Sequence, residues 1–230
     1  MESTLNRRKV LRDVVNILRS HQGEIHRLTI EQQNPYALVG LKKGDSSKQN
    51  LKKLLLFGMQ WRGGPRLSLE RINKVLSSFD ECYEKITKNI LPNFDGQNST
   101  DQVYKLLMNI DDVGPKIAGV FLRDVVCRLN VWKEMLPYLY LPIDRHVRFM
   151  LINRLQVFSE KEVPRVSESY FTRKNQRFQE ELRRIHTPRV DFDDLWFIGS
   201  HFCSFRKLCP VCWIRSYCKQ RFENYSVLTL

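Results

Sequence analysis

The sequence predicts an all-α protein of two helical subdomains, which contain a tight helix–hairpin–helix and end in a loop of four cysteines. Apolar residues recur at helical spacing through most of the chain, and no stretch alternates clearly enough to propose a strand. A hydrophobic fraction of 42% in 230 residues is sufficient for a buried core. The predicted organisation is an N-terminal helix and loop at 1–48 that pack on the second subdomain, a helical subdomain at 49–142 and another at 143–230.

The elements before the hairpin follow from the spacing of apolar residues and from helix breakers. An amphipathic first helix is followed by a weakly periodic stretch, and Gly63, Gly64 and Pro65 force a turn after a compact apolar helix. Helices are predicted at 5–19, within 31–41, at 50–59, at 68–79 and at about 81–91, with loops at 44–47 and 89–98.

The segment Asn109–Arg123 predicts a hairpin between two helices. Ser99 followed by Gln102 is a capping-box signature, so the first helix is expected to start there and to stop near Ile110. The turn then contains residue types that tolerate a positive φ, namely Asp111, Asp112 and Gly114. Pro115 is suited to the first turn of the second helix.

A helix that begins at Pro115 would offer an anion-binding site. The first backbone N–H groups of a helix have no intrahelical partner, and the helix dipole adds positive potential, which suits an anion such as a DNA phosphate. Lys116 stands one residue inside this start. The spacing alone is equally consistent with a solvated lysine.

The second half of the chain continues with a linker and further helices. Residues 127–141 form a linker rich in aromatic residues and proline, and Asp144 after Pro142 is a good helix N-cap. Helices are predicted at 144–158, at about 167–185 and at 191–202.

The formal net charge of +13, with basic residues concentrated in the second half, favours a polyanionic partner. Nucleic acid fits better than an anionic membrane surface, because no helix pairs a continuous leucine or aromatic face with a lysine-rich one. No run of about 18 apolar residues occurs and the N-terminus is polar, so we expect an intracellular protein, in the cytoplasm or nucleoid or in the nucleus. We also expect a monomer.

The cysteines indicate a metal site. Cys203, Cys209, Cys212 and Cys218 follow the spacing Cys-x5-Cys-x2-Cys-x5-Cys, and clustered thiolates in a reducing compartment are typical of metal ligation. The spacing is consistent with zinc or with an iron–sulfur cluster. Cys82 and Cys127 are predicted to be buried within helices.

Three motifs together resemble the endonuclease III (helix-hairpin-helix, HhH-GPD) superfamily of base-excision DNA glycosylases. Val113-Gly114-Pro115-Lys116 resembles the end of the family hairpin, and Ile143-Asp144-Arg145-His146 resembles the segment that carries the family aspartate. The cysteine loop is similar to a family loop that binds a 4Fe-4S cluster, although its first gap is one residue shorter.

The resemblance implies a bifunctional glycosylase and AP lyase that acts on a damaged or mismatched base in double-stranded DNA. Lys116 would be the Schiff-base nucleophile, Asp144 the activating carboxylate, and the four cysteines the ligands of a 4Fe-4S cluster, with zinc as the alternative. The residues expected to contact DNA are Gln60, Arg62, Val113, Gly114, Lys116, Arg145, His146, Arg206 and Lys207. The base pocket would contain Gln60, Trp61 and Trp196.

Two other functions fit the same motifs: a monofunctional glycosylase that uses Asp144 and water, and a non-enzymatic helix-hairpin-helix protein that only binds DNA. Asp112 stands where the family usually has glycine, so its carboxylate would either repel a phosphate or require a bound cation. The linker 127–141 is longer than in most family members.

Overall fold

The computed structural model describes residues 2–32, 44, 46–61, 68–205 and 208–219. Within these ranges the chain is mostly helical and contains no strand, which confirms the all-α prediction. None of the helices described is long and apolar enough to cross a membrane.

The helices vary from one short turn to five turns. Their bounds are α1 Glu2–Ser20, α2 Gln22–Gln32, α3 Lys48–Trp61, α4 Leu69–Lys85, α5 Gln97–Met108, α6 Pro115–Arg123, α7 Arg145–Phe149, α8 Arg173–Ile185 and α9 Leu195–Phe197. Four of them continue directly into π-helical segments, at Ile86–Ile90, Asp124–Arg128, Met150–Arg154 and Ile198–Phe205. Short 3₁₀ turns lie at Leu91–Asn93, Lys133–Tyr138, Arg189–Asp194, Cys209–Val211 and Arg215–Tyr217.

The chain divides into two compact units. Unit 1 comprises Met1–Thr29, Ile143–Thr187 and Asp191–Leu230, and unit 2 comprises Ile30–Pro142 and Pro188–Val190. The domains predicted from the sequence, at 1–48, 49–142 and 143–230, are continuous segments, whereas both units are made of separate stretches of the chain. That domain division stays a prediction.

Unit 2 is built around α3, α4, α5 and α6. Each helix buries an apolar stripe, as the spacing of its large residues requires. The most enclosed of these residues include Leu51, Leu55, Val75, Phe79, Val103, Leu107, Ala118 and Leu122. Phe79 meets Phe121 edge to face, with 5.7 Å between the ring centroids, and this contact joins α4 to α6.

Arg189 fixes the long linker within unit 2. Its Nε donates to the carbonyl of Leu139 at 3.0 Å, and its Nη2 donates to the carbonyl of Tyr138 at 2.6 Å. The guanidinium also lies 4.7 Å from the centroid of the Tyr140 ring. Tyr104 contributes a further bond, because its hydroxyl accepts the backbone N–H of Tyr140 at 3.0 Å. Residues 138–140 are therefore held as part of the folded unit.

In unit 1, α1 packs on α8 and reaches the cysteine loop. Its buried face contains Leu11, Val14, Val15 and Leu18. His21 stacks on Trp213 with 4.3 Å between the rings, and the Tyr217 hydroxyl donates to Asp13 at 3.3 Å. The N-terminal helix is therefore joined to the last described segment of the chain.

Before the hairpin, one predicted helix break is wrong and one helix has no counterpart in the prediction. The break expected near Asp80 is absent, and α4 runs through it, because Asp80 faces outward and pairs with Lys48 and Lys52. Helix α2 was not predicted at all, since its apolar spacing is weak. Most of the helix predicted within 31–41 lies outside the described residues.

The capping box expected at Ser99 is also wrong, because Asp95 makes the cap. Its Oδ1 accepts the backbone N–H of Ser99 at 2.7 Å, and the Ser99 hydroxyl oxygen accepts the backbone N–H of Asp95 at 3.0 Å. Gly96 has a φ of 85°, and a Cβ there would come within 3.0 Å of the Tyr138 ring. Glycine therefore permits an earlier start, at Gln97.

Two predicted helix boundaries after the hairpin also differ from those in the structure. The helix predicted at 144–158 ends at Arg154, because Gln156 has a φ of 51°. The helix predicted to begin near 167 starts at Arg173, where the Thr172 hydroxyl caps it, and Ser167 has a φ of 63°.

Cys82 is buried as predicted, but Cys127 is exposed, so the expectation that both are buried is wrong for Cys127.

Candidate functional site

The hairpin in unit 2 connects α5 to α6 through a single left-handed residue. Asp112 has a φ of 63°, whereas Gly114 is extended, with φ −79° and ψ 175°, and precedes the helix start at Pro115. The turn therefore uses Asp112 where a glycine was the more obvious choice. Val113 is buried, and Lys116 is half-buried in the first turn of α6.

The two hairpin carboxylates are compensated by basic residues of α4. Arg71 Nη2 donates to Asp112 Oδ1 at 2.8 Å, and Lys74 pairs with Asp111. The hydrogen bond with Asp111 raises the pKa of Lys74 above its ordinary value. Each carboxylate of the hairpin therefore has a cationic partner on α4, which reduces the repulsion of a phosphate expected from Asp112.

In unit 1, Asp144 caps helix α7. Its Oδ1 accepts the backbone N–H groups of His146 and Val147, both at 2.8 Å, and the residue is only 5% exposed. Oδ2 accepts no hydrogen bond from the described residues and is not fully enclosed. The helix amides therefore fix the orientation of the carboxylate and leave Oδ2 for another partner.

The two residues that follow Asp144 differ in exposure. Arg145 is exposed, and its Nε donates to His146 Nε2 at 3.1 Å, which requires His146 to carry no proton on that nitrogen. His146 is only 8% exposed. A Cβ on Gly199 would come within 3.0 Å of the His146 Cβ, so α7 and the π-helical segment after α9 are in close contact.

The four clustered cysteines share one neighbourhood in unit 1. The pKa of Cys203 is raised to about 11 and that of Cys212 to about 12, mainly by burial and to a smaller extent by charge on the other cluster thiols. Across the described residues, however, no three cysteine, histidine or acidic side chains are placed to hold a metal ion. Four cysteines have the right chemistry for a four-thiolate metal site. In the described residues, however, their sulfur atoms are not arranged as ligands of one metal.

Arg154 lies against this cluster. Its hydrogen bond and positive charge oppose the rise in the pKa of Cys203, and its carbonyl accepts the backbone N–H of Lys219 at 2.7 Å. Met150, one turn earlier, contacts the same cysteine, with 3.9 Å between the two sulfurs. The helix that Asp144 caps therefore ends at the cysteine loop.

The chain matches no family model, no curated protein and no solved structure. Its function therefore has to be inferred from the side chains of the two units.

The other predicted site residues are distributed over both units. Gln60 is exposed in the last turn of α3, which ends at Trp61, and both belong to unit 2. Trp196 is half-buried in α9 of unit 1. Predictions for Arg62, Arg206, Lys207 and the side chain of Trp61 fall outside what the structure describes. These assignments to DNA contact and to a base pocket stay predictions.

Sequence reasoning missed three cations at these sites, Arg71, Lys74 and Arg154. Arg71 and Lys74 stand three residues apart on one helix, a spacing that places both on the same face but does not identify a partner. Arg154 is the last residue of a helix that also contains Arg145 and Arg148, so in the sequence it resembles another solvated arginine. Among the described residues Arg154 is one of three buried arginines, with Arg123 and Arg189, and its burial is not evident from the sequence.

Proposed function

We propose that the protein is a base-excision DNA glycosylase with AP lyase activity, in which Lys116 is the nucleophile and Asp144 the activating carboxylate. The observation that carries the proposal is the state of Asp144, a buried N-cap that uses Oδ1 for the helix and leaves Oδ2 without a described donor. Lys116 belongs to unit 2 and Asp144 to unit 1.

DNA would be bound through its backbone before any chemistry occurs. The α6 start at Gly114–Lys116 offers helix N-terminal amides to a phosphate, and the excess of basic residues supplies further contacts. The target nucleotide must then leave the base stack, at a cost of a few kcal/mol. Gln60 and Trp61, at the end of α3, have the side chains suited to fill the space it leaves.

Lys116 would carry the covalent step. The lone pair of a neutral Nζ forms a bond to C1′ while the bond from C1′ to the base breaks, and the base departs with the bonding electrons and takes up a proton. Opening of the sugar gives a Schiff base between Nζ and C1′. Loss of a proton from C2′ then breaks the bond between C3′ and its phosphate oxygen, which is β-elimination.

Asp144 would support this step electrostatically. Oδ2 can accept a proton from the attacking amine, and its negative charge stabilises the positive charge that develops on the sugar as the base departs. Because Oδ1 is held by the helix amides, the carboxylate is oriented before the substrate arrives. Orientation of this kind reduces the reorganisation needed in the transition state.

The residues Cys203, Cys209, Cys212 and Cys218 would hold a 4Fe-4S cluster, with zinc as the alternative. When bound, either group would supply a structural cross-link for a short loop and no open coordination position. The thiols that burial keeps protonated in the metal-free chain would lose their protons to become ligands.

The proposal is tested by borohydride trapping on a duplex that contains one abasic site, since such a site does not require knowledge of the damaged base. Wild type should form a covalent band, and Lys116→Gln should abolish it. Asp144→Asn keeps an oxygen for the cap and should reduce trapping by orders of magnitude. The control is Lys53→Gln, which removes an exposed lysine from the same unit as Lys116.

The remaining outcomes separate the other functions. If no band forms on the abasic duplex but a duplex with a damaged base loses that base, the protein is a glycosylase that uses Asp144 and water. Binding without excision, with Lys116→Gln only reducing the salt dependence of affinity, would indicate a DNA-binding module. Trapping by Lys116→Gln at the wild-type level would disprove the assigned nucleophile.

A further inference from the structure

Helix α8 of unit 1 exposes three arginines on one side. Arg173, Arg177 and Arg184 are all exposed, and they stand four and then seven residues apart along the helix. Residues at these spacings share one face of an α-helix, so the three side chains form a stripe about 16 Å long at a rise of about 1.5 Å per residue. The helix as a whole contains five basic residues and two acidic ones.

The opposite side of α8 is buried in unit 1. Phe178 and Leu182 lie on that side and are buried. Phe178 packs against Phe158 with 5.1 Å between the ring centroids, and Glu181 pairs with Arg8 of α1 at 3.8 Å. Because its apolar side is occupied by the core, α8 can meet a partner through its arginine side.

The positive charge on this side is compensated only in part. Glu180 lies on the same side and pairs with Arg184 at 3.5 Å. Among the described residues, Arg173 and Arg177 have no acidic side chain within salt-bridge distance. Helix α1, which packs on α8, adds five basic residues and two acidic ones. Arginine keeps its charge at any physiological pH, so the excess of positive charge here is permanent.

The exposed side chains of these two helices indicate the class of partner. Every described position of α1 and α8 that is exposed holds a polar or charged residue. Membrane-surface helices require an exposed apolar face, single strands are bound by aromatic side chains that stack on bases, and specific protein interfaces require aromatic or apolar anchors. A face of arginines without such side chains fits the backbone of a duplex, which carries one charge per about 1.7 Å of its axis.

We propose that the exposed face of α8 is a second DNA-binding surface, on which Arg173 and Arg177 bind backbone phosphates of undamaged double-stranded DNA. The hairpin contacts of the proposed function belong to unit 2, whereas this surface belongs to unit 1. The inference rests on the proposed function, because it takes DNA as the substrate. It deepens that proposal, since a glycosylase has to search undamaged duplex, and phosphate contacts carry no sequence information and allow a protein to slide along DNA.

The experiment measures binding of a fluorescein-labelled, undamaged duplex by fluorescence anisotropy at several salt concentrations. The full-length wild type is compared with the double variant Arg173→Gln/Arg177→Gln and with Glu180→Gln. Glutamine and arginine have similar helix propensities, so far-UV circular dichroism should be unchanged. The matched control is Lys53→Gln/Lys133→Gln, which removes the same charge from two exposed positions of unit 2.

The double arginine variant should bind at least about tenfold more weakly at about 100 mM salt, and its slope of log affinity against log salt should be smaller by about 1.8, because two phosphate contacts are lost. Glu180→Gln should bind several-fold more tightly, because it removes the negative charge from this side of the helix. The lysine control should keep the slope of the wild type.

Two results would overturn the assignment of this surface. If the lysine control loses as much affinity and slope as the arginine variant, the effect comes from net charge and not from α8. The same variants are also titrated with a single strand of equal length and with vesicles of anionic lipid. If the arginine variant loses as much affinity for either of these as for the duplex, double-stranded DNA is not the partner that the surface selects.

The two proposals fail differently. If the arginine variant weakens duplex binding as expected but the wild type forms no covalent band on an abasic duplex, the surface stands and the lyase is disproved. If the wild type forms the band but the arginine variant binds undamaged duplex like the lysine control, the lyase stands and the surface is disproved. A wild type that binds no duplex would disprove both.

Discussion

Asp112 has two structural roles in the hairpin, one through its backbone conformation and one through its carboxylate. Its φ of 63° lies in the left-handed region, which costs an ordinary L-residue about 1–2 kcal/mol and which aspartate and asparagine tolerate best. Its carboxylate accepts a hydrogen bond from Arg71. Backbone conformation and charge can therefore be changed separately by the choice of substitution.

Asp112→Asn should keep the turn and remove the negative charge that compensates Arg71. Duplex binding should become several-fold stronger, with about one more phosphate contact in the salt dependence. Asp112→Ala should lower the free energy of unfolding by about 1–2 kcal/mol, through strain at positive φ. Binding is measured by fluorescence anisotropy and stability by urea denaturation. Asp111→Ala is the control, since Asp111 has no positive φ, and an equal loss of stability in that variant would contradict the explanation.

Asp80 connects α3 to α4 through two lysines. The hydrogen bond from Lys52, at 2.6 Å, holds the pKa of Asp80 below its ordinary value, and Lys48 adds to this effect. A carboxylate whose pKa is lower in the folded than in the unfolded protein stabilises the fold at pH values above its unfolded-state pKa of about 3.9. This stabilisation is lost as the pH falls through the folded-state pKa.

Asp80→Asn should therefore lower the unfolding midpoint at pH 7, by no more than the equivalent of about 1 kcal/mol for an exposed pair. The difference from wild type should shrink as the pH falls below about 3.9. Thermal denaturation at several pH values measures it. A difference that is as large at pH 3 as at pH 7 would mean that the ion pairs are not its cause.

Two glycines within helical segments provide a comparison of packing. A Cβ on Gly199 would lie 3.0 Å from the His146 Cβ and 3.2 Å from its carbonyl oxygen, whereas one on Gly58 would meet nothing within 4 Å. Gly199→Ala should destabilise the protein by about 1–3 kcal/mol through overpacking. Gly58→Ala should stabilise it by about 0.5–1 kcal/mol, since alanine is the better helix former. Chemical denaturation of both variants decides whether α7 and the segment after α9 are packed this closely.

Sequence patterns predicted helices where apolar spacing was strong and failed where a boundary depended on a distant partner. The start at Pro115 and the cap by Asp144 are local, and both are found. The continuity of α4 through Asp80 depends on lysines of α3, and the earlier start of α5 depends on space beside Tyr138. Likewise, local spacing identified the cysteines, but their neighbour Arg154 is far away in sequence and became visible only in the fold.

The whole molecule carries a formal net charge of +13, which should dominate its encounter with DNA. If at least four phosphates are neutralised, affinity should fall by about 100-fold or more between about 50 and 200 mM salt. Anisotropy titrations of an undamaged duplex measure this dependence. Vesicles of anionic lipid at the same charge concentration serve as the comparison, and equal affinity for both would argue against nucleic acid as the preferred partner.

The bond between Asp13 and Tyr217 spans 204 residues, nearly the length of the chain. During synthesis at about 5–20 residues per second, α1 would therefore wait roughly 10–40 s before this partner is made. Unit 2 has nearly all of its residues in one continuous stretch and can form during that interval. Until its partners are made, α1 would have its leucine and valine face uncovered, so the growing chain would be exposed to aggregation and to chaperones at this helix.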